Sequence, residues 1–171
     1  YHNEALPIAE GQTISQPFVV ALMTSTLELQ GDERVLDVGT GSGYQAAVLS
    51  LLARHVVGVE RHPALAHDAE QRLHRLGFDN VEIHVAGAAL GWPDGAPYDS
   101  ILCAAAAPAV PISLARQLAP GPRPRLVIPV GMRAEQELLV VRRSDGGFVE
   151  QRLGPVRFVP LIGPDAWPSS Q

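Results

Sequence analysis

The run Asp37-Val38-Gly39-Thr40-Gly41-Ser42-Gly43 constrains the fold of this chain more than any other segment. It follows a short apolar run, Arg34 to Val38, and opens a segment of helical periodicity, Gly43 to Ala53, with Ala47 and Leu51 on one stripe. A strand that turns through alternating glycines into a helix needs a sharp backbone and an approach that a Cβ would block. The N–H groups at the start of that helix then face whatever sits against the loop. His55 to Glu60 reads as the next strand and ends in an acid. A carboxylate about 20 residues past such a loop can accept two hydrogen bonds from a ribose diol.

The pattern continues. Pro63 to Leu76 is a predicted helix, with Pro63 suited to its first turn, Gly77 to its end, and Leu65, Ala69, Leu73 and Leu76 at helical spacing. Val81 to Val85 and Tyr98 to Ala104 read as strands, Pro111 to Leu118 as a helix and Arg125 to Val130 as a fifth strand. Alternating strands and helices predict an α/β fold with a doubly wound, mostly parallel sheet. The end of the chain departs from this rhythm. Gln136 to Arg143 and Phe148 to Leu153 flank Asp145-Gly146-Gly147, a hairpin that adds late antiparallel strands. Upstream, Gln16 to Leu29 is amphipathic, with Val20, Met23 and Leu27 on one face and Ser15 and Pro17 at its start.

Composition removes several function classes. The formal charge of -5 argues against a nucleic-acid surface. All 13 basic residues are arginine, so no lysine chemistry is available. Cys103 is the sole cysteine, which forbids an internal disulfide and predicts a cytoplasmic setting; it reads as a small core residue. The most apolar stretch, Ile101 to Leu114, is short of the roughly 20 residues that span a bilayer, and the polar opening is unlike a signal peptide. His62, His67 and His74 lack the spacing of a metal pair on one helix turn, so no metal is expected. Trp92 reads as a loop anchor on the sheet edge. With 171 residues, one domain over 1–171 is expected, acting as a monomer without nucleic acid or membrane partners.

The nucleotide is less constrained. Gly41-Ser42-Gly43-Tyr44-Gln45-Ala46 fits a dinucleotide loop. Asp37, however, would repel a pyrophosphate and attract an ammonium. The spacing therefore favours S-adenosylmethionine and leaves a nicotinamide dinucleotide open.

Several segments, in order, resemble the protein-L-isoaspartate O-methyltransferases. They are Gly11-Gln12-Thr13-Ile14-Ser15-Gln16-Pro17, the glycine loop through Leu49, Leu90-Gly91-Trp92-Pro93, Ala105-Ala106-Ala107-Pro108, Val127-Ile128-Pro129-Val130-Gly131 and Val156-Arg157-Phe158-Val159-Pro160-Leu161. The resemblance implies a Rossmann-like fold and S-adenosylmethionine-dependent methylation of the α-carboxylate of isoaspartyl residues in damaged proteins, with Ser15 as the active-site serine. It places substrate at Thr13, Ile14 and Ser15, and cofactor at Asp37, Gly39, Thr40, Gly41, Ser42, Gly43, Glu60, Gly87 and Ala88. Two further readings stand beside it: a carboxyl methyltransferase acting on a specific peptide aspartate, and a non-catalytic domain that binds cofactor weakly.

The chain departs from the family pattern in three places. Gly87 stands in Ala86-Gly87-Ala88, where the family carries an acid at the adenine end of its cofactor. Ten residues precede Gly11, so the family's N-terminal helical segment is expected to be absent. The loop before the fifth strand is stretched to Pro120-Gly121-Pro122-Arg123-Pro124.

Overall fold

Strands that are apolar at nearly every position need cover on both faces, and the fold supplies it. The computed structural model describes residues 3–144 and 146–169. β1 (Leu6–Pro7) and β2 (Thr13–Ile14) form a small hairpin, followed by α1 (Pro17–Thr26). β3 (Arg34–Val38), α2 (Tyr44–Ser50), β4 (His55–Glu60), α3 (Pro63–Arg75) and β5 (Val81–Val85) come next. β6 (Ser100–Cys103), α4 (Ile112–Ala115), β7 (Arg125–Met132), β8 (Glu135–Ser144) and β9 (Gly147–Val156) complete the chain. The main sheet has seven strands in the order β5-β4-β3-β6-β7-β8-β9. The first five are mutually parallel, and β8 and β9 are antiparallel additions. Among the described residues no helix is long and apolar enough to cross a membrane.

Side chains of the central strands alternate between two cores. Val35, Val56, Leu102 and Val127 pack with Met23 and Leu27 of the α1 region, Leu49 of α2 and Leu73 of α3. Leu36, Val57, Ile101 and Leu126 point the other way, toward Leu114 of α4, Leu118 and Leu161. Cys103 lies in this second core; burial pushes its thiol up to about 12, which leaves it inert.

The expected elements are present, with corrections at their ends. Leu51 is 74% exposed and Leu76 63% exposed, so neither belongs to a core stripe. In α2 the buried residues are Ala46, Leu49 and Ser50, one position off the expected stripe. Leu76 caps α3, which turns away through Gly77. β6 is shorter than expected because Tyr98 meets Leu118 in an isolated bridge outside the strand. α4 is a single turn; beyond it Gln117 N–H reaches Leu114 O and Leu118 N–H reaches Ala115 O, three residues back, which tightens the chain. β7 runs on through Pro129, beyond its last β6 pair at Leu102 and Val127, where no ladder N–H from the proline is needed. Ser144 pairs with Gly147 to close the expected hairpin; its turn residue Asp145 lies outside the described residues. Trp92 stacks on His84 of the edge strand β5, ring centroids 4.1 Å apart, as a loop anchor. Tyr98 is fully buried and donates to Trp92 O at 2.8 Å.

Candidate active site

The carboxyl ends of β3 and β4 carry the glycine loop, where an open α/β sheet accepts ligands. Gly39 and Thr40 donate their N–H groups to Val59 O at 2.8 and 3.2 Å, which ties the loop to the end of β4. Gly39, Gly41 and Gly43 have φ of 84°, 55° and 85°, a left-handed run that side chains resist. At Gly43 space matters too: a Cβ would sit 3.2 Å from Leu73 Cδ1 of α3. Gly58, in the middle of β4, has a role that the sequence reading missed. A Cβ there would lie 2.6 Å from Thr40 Oγ1 and 2.5 Å from Ile83 Cδ1, so its absence makes room for the loop threonine.

Glu60 is only 4% exposed and ties the loop to the start of α3, one oxygen to each. Oε2 accepts from Gly41 N–H and Oε1 from His62 N–H, each at 2.9 Å. An ionised carboxylate has about four acceptor positions, so each oxygen retains one for a ligand hydroxyl. Glu60 lines a cavity of about 420 Å³ together with Gly39, Gly41, Gly87, Ala88 and Leu161. That volume falls in the range of small-molecule sites.

Asp37 occupies a different place from the one its charge suggests. It is fully buried and absent from the cavity wall. Thr40 Oγ1 donates to its Oδ2 at 3.1 Å, while Oδ1 is buried without a partner. Burial, reinforced by the negative Glu60, pushes its carboxyl up to about 7 against the Thr40 hydrogen bond. Gly43 is likewise a packing position rather than a cavity position. Thr40 and Ser42 line only a small pocket of about 30 Å³ between the loop and Ser15.

Ser15 and Thr13 line a second cavity of about 480 Å³ with Gln16, Arg157, Phe158 and Val159. Ser15 is half-buried. It is not a helix cap: α1 is capped by Gln16 without a side-chain hydrogen bond, and Pro17 opens the first turn. Ile14, paired with Leu6 in the small hairpin, lies at the 30 Å³ pocket. The two large cavities share Thr13, Ala104 and Val159, so they adjoin. Val159 was not foreseen; it arrives from the far end of the chain, where Val159 O accepts from Ala106 N–H at 2.8 Å.

A third cavity of about 510 Å³ lies at the amino ends of the strands. Its acids serve the fold. Glu33 accepts from Gln30 and Gly31 N–H groups, and Asp99 from Arg34 N–H at 2.8 Å. Among the described residues no group of acids, histidines or cysteine is arranged to hold a metal.

The parallel sheet with its glycine loop, its acid-tipped neighbour strand and its added antiparallel pair defines the S-adenosylmethionine-dependent methyltransferase class. The family model described as protein-L-isoaspartate(D-aspartate) O-methyltransferase matches residues 1–166, and the chain belongs to that family. A protein-L-isoaspartate O-methyltransferase of Syntrophobacter fumaroxidans is 52% identical over 167 residues, covering 98% of this chain and 77% of the relative. A solved protein-L-isoaspartate O-methyltransferase superposes with a TM-score of 0.85 at 28% identity; the match covers 97% of this chain and 54% of that one. A Plasmodium falciparum relative, solved in complex with S-adenosyl-L-homocysteine, gives 0.80 at 26% identity, covering 93% of this chain and 80% of its own.

One wall of the Glu60 cavity is bare where the family resemblance leads one to expect an acid. An added Cβ at Gly87 would meet nothing within 4 Å, and the backbone there is outside the left-handed region. Gly87→Asp is therefore expected to fit without strain and to strengthen S-adenosylhomocysteine binding about tenfold or more, the worth of one charge-assisted hydrogen bond. Titration calorimetry of both proteins at one salt concentration checks this. Unchanged affinity in a folded variant would mean that another group already serves the adenine end.

Proposed function

We propose that this chain methylates the free α-carboxylate of isoaspartyl residues in damaged proteins, with S-adenosylmethionine as methyl donor, and so initiates their repair. The observation that carries this reading is the junction of two cavities, one walled by Glu60 and one by Ser15, at Thr13, Ala104 and Val159. A donor in the first and an acceptor in the second would meet there. The residues present suit such a donor: Glu60 retains acceptor positions for a diol, and the buried Asp37 Oδ1 favours a positively charged neighbour. When bound, S-adenosylmethionine supplies a methyl group on a positively charged sulfur.

The chain's own residues then have little chemistry to perform. A carboxylate is ionised at neutral pH, so no general base is needed. What remains is alignment, which alone can lower a barrier by several kcal/mol. The Ser15 hydroxyl, in the signature Gly11 to Pro17, donates to the acceptor carboxylate and fixes its direction. Thr13 and Ile14 place the serine, and Gly39, Gly41, Gly87 and Ala88 form the donor's wall. The whole of 1–171 serves this one site as a single methyltransferase domain.

Ser15→Ala tests the serine. It is expected to lower methyl transfer to an isoaspartyl peptide about tenfold or more while leaving thermal stability within measurement error, because no cap is lost. A drop in stability of about 1 kcal/mol with full activity would make Ser15 structural instead.

A further inference from the structure

The wall of the Ser15 cavity carries one charged residue among those described, Arg157. Four arginines among the described residues are committed to a carboxylate: Arg34 to Glu82, Arg123 to Asp32, Arg125 to Glu28 and Arg152 to Glu137. Arg157, by contrast, makes no hydrogen bond or ion pair within the described residues. Its backbone is nevertheless held in place. On one side Phe158 N–H donates to Gln136 Oε1 at 2.7 Å and Gln136 Nε2 returns a bond to Phe158 O at 3.2 Å. Next to it, Val159 O accepts from Ala106 N–H at 2.8 Å. Gln136 is itself buried, so this anchoring is rigid. The backbone on either side of Arg157 is thus held at a cavity that the residue lines together with Thr13 and Ser15, and its guanidinium is exposed and uncommitted.

We infer that Arg157 is the residue that binds the negative charge of the substrate: its guanidinium holds the isoaspartyl α-carboxylate beside Ser15 and distinguishes it from the neutral methyl ester formed by the reaction. The inference rests on the function proposed above. The chemistry fits, since the guanidinium fork matches a carboxylate in two parallel hydrogen bonds. The cation also opposes the net charge of -5, which otherwise repels an acidic substrate.

The reaction dictates which kinetic constant Arg157 controls. A carboxylate oxygen forms a bond to the methyl carbon, the carbon–sulfur bond breaks, and its electron pair stays on sulfur. The negative charge on the carboxylate fades along this path. An interaction with that charge is therefore stronger in the bound substrate than in the transition state. Arg157 should tighten substrate binding without raising kcat, and it should release the neutral ester readily.

The test compares two peptides that differ only at the α position, isoaspartyl carboxylate and its carboxamide, on enzyme loaded with S-adenosylhomocysteine. Wild type is expected to bind the carboxylate at least tenfold more tightly. Arg157→Gln should lose that preference, and Arg157→Lys should retain part of it. In turnover, Arg157→Gln should raise KM for the isoaspartyl peptide at least tenfold, with kcat unchanged or higher and S-adenosylhomocysteine affinity unchanged. An undiminished carboxylate preference in Arg157→Gln would overturn the inference, as would a fall in kcat at constant KM. Neither result touches the functional reading, which fails separately if wild type binds S-adenosylhomocysteine but methylates no isoaspartyl peptide.

Discussion

Glu60→Ala is expected to weaken S-adenosylhomocysteine binding by about 100-fold or more and to destabilise the fold by roughly 2 kcal/mol. Two separate losses combine. Both carboxylate oxygens remain open to a diol, and each charge-assisted hydrogen bond is worth about 1.5–3 kcal/mol. In addition, Gly41 and His62 N–H groups would lose their acceptor at a position only 4% exposed, which costs about 1–3 kcal/mol for each group left unsatisfied. Glu60→Gln separates the two effects. It keeps one oxygen acceptor, so it should recover part of the stability while still binding the ligand poorly. Calorimetry and thermal melts on the three proteins check this; equal affinity in Glu60→Ala would remove Glu60 from the cofactor site.

The second large effect concerns Asp37 and depends on pH. Its carboxyl is raised to about 7 by burial, whereas in an unfolded chain a carboxyl titrates near 4. Between those values the folded state holds a proton that the unfolded chain has released. The resulting stabilisation is complete below about pH 4, falls as the pH rises, and is gone above about pH 7. Asp37→Asn has no such proton to lose. Relative to wild type, its stability should therefore improve by roughly 3 kcal/mol between pH 5 and pH 8. The same change removes the buried negative charge behind the loop, so cofactor binding at pH 8 should weaken even as stability rises. Denaturant melts across this pH range and calorimetry at its upper end are the measurements. Parallel stability profiles for the two proteins would show that Asp37 titrates as an ordinary carboxylate.

The site was only partly legible in the sequence. Asp37 announced a carboxyl next to the glycine loop, and the carboxyl is there, with burial raising it to about 7. The sequence could not say that the side chain turns into the core, bonded to Thr40, rather than onto the cavity wall. The strands β3 and β4 were legible because burial on both faces leaves a continuous apolar run. α3 was legible because Pro63 and Gly77 mark its ends. The stripe of α2 was displaced because so short a helix offers few periods to fix its phase. The hairpin of β1 and β2 escaped notice because each strand has only two residues. Gly58 and Val159 escaped notice because their placement depends on contacts with chain segments far away in sequence. Gly58 matters through Thr40, and Val159 through Ala106.

The central claim is that the Glu60 and Ser15 cavities together transfer a methyl group to an isoaspartyl carboxylate. It is tested most directly with a pair of synthetic peptides identical except that one residue is linked as isoaspartate in one and as aspartate in the other. Each is incubated with the protein and S-adenosylmethionine carrying a labelled methyl group. The account predicts base-labile label on the isoaspartyl peptide and none above background on its aspartyl isomer. Equal labelling of both peptides, or none on either by protein that binds S-adenosylhomocysteine, would contradict it.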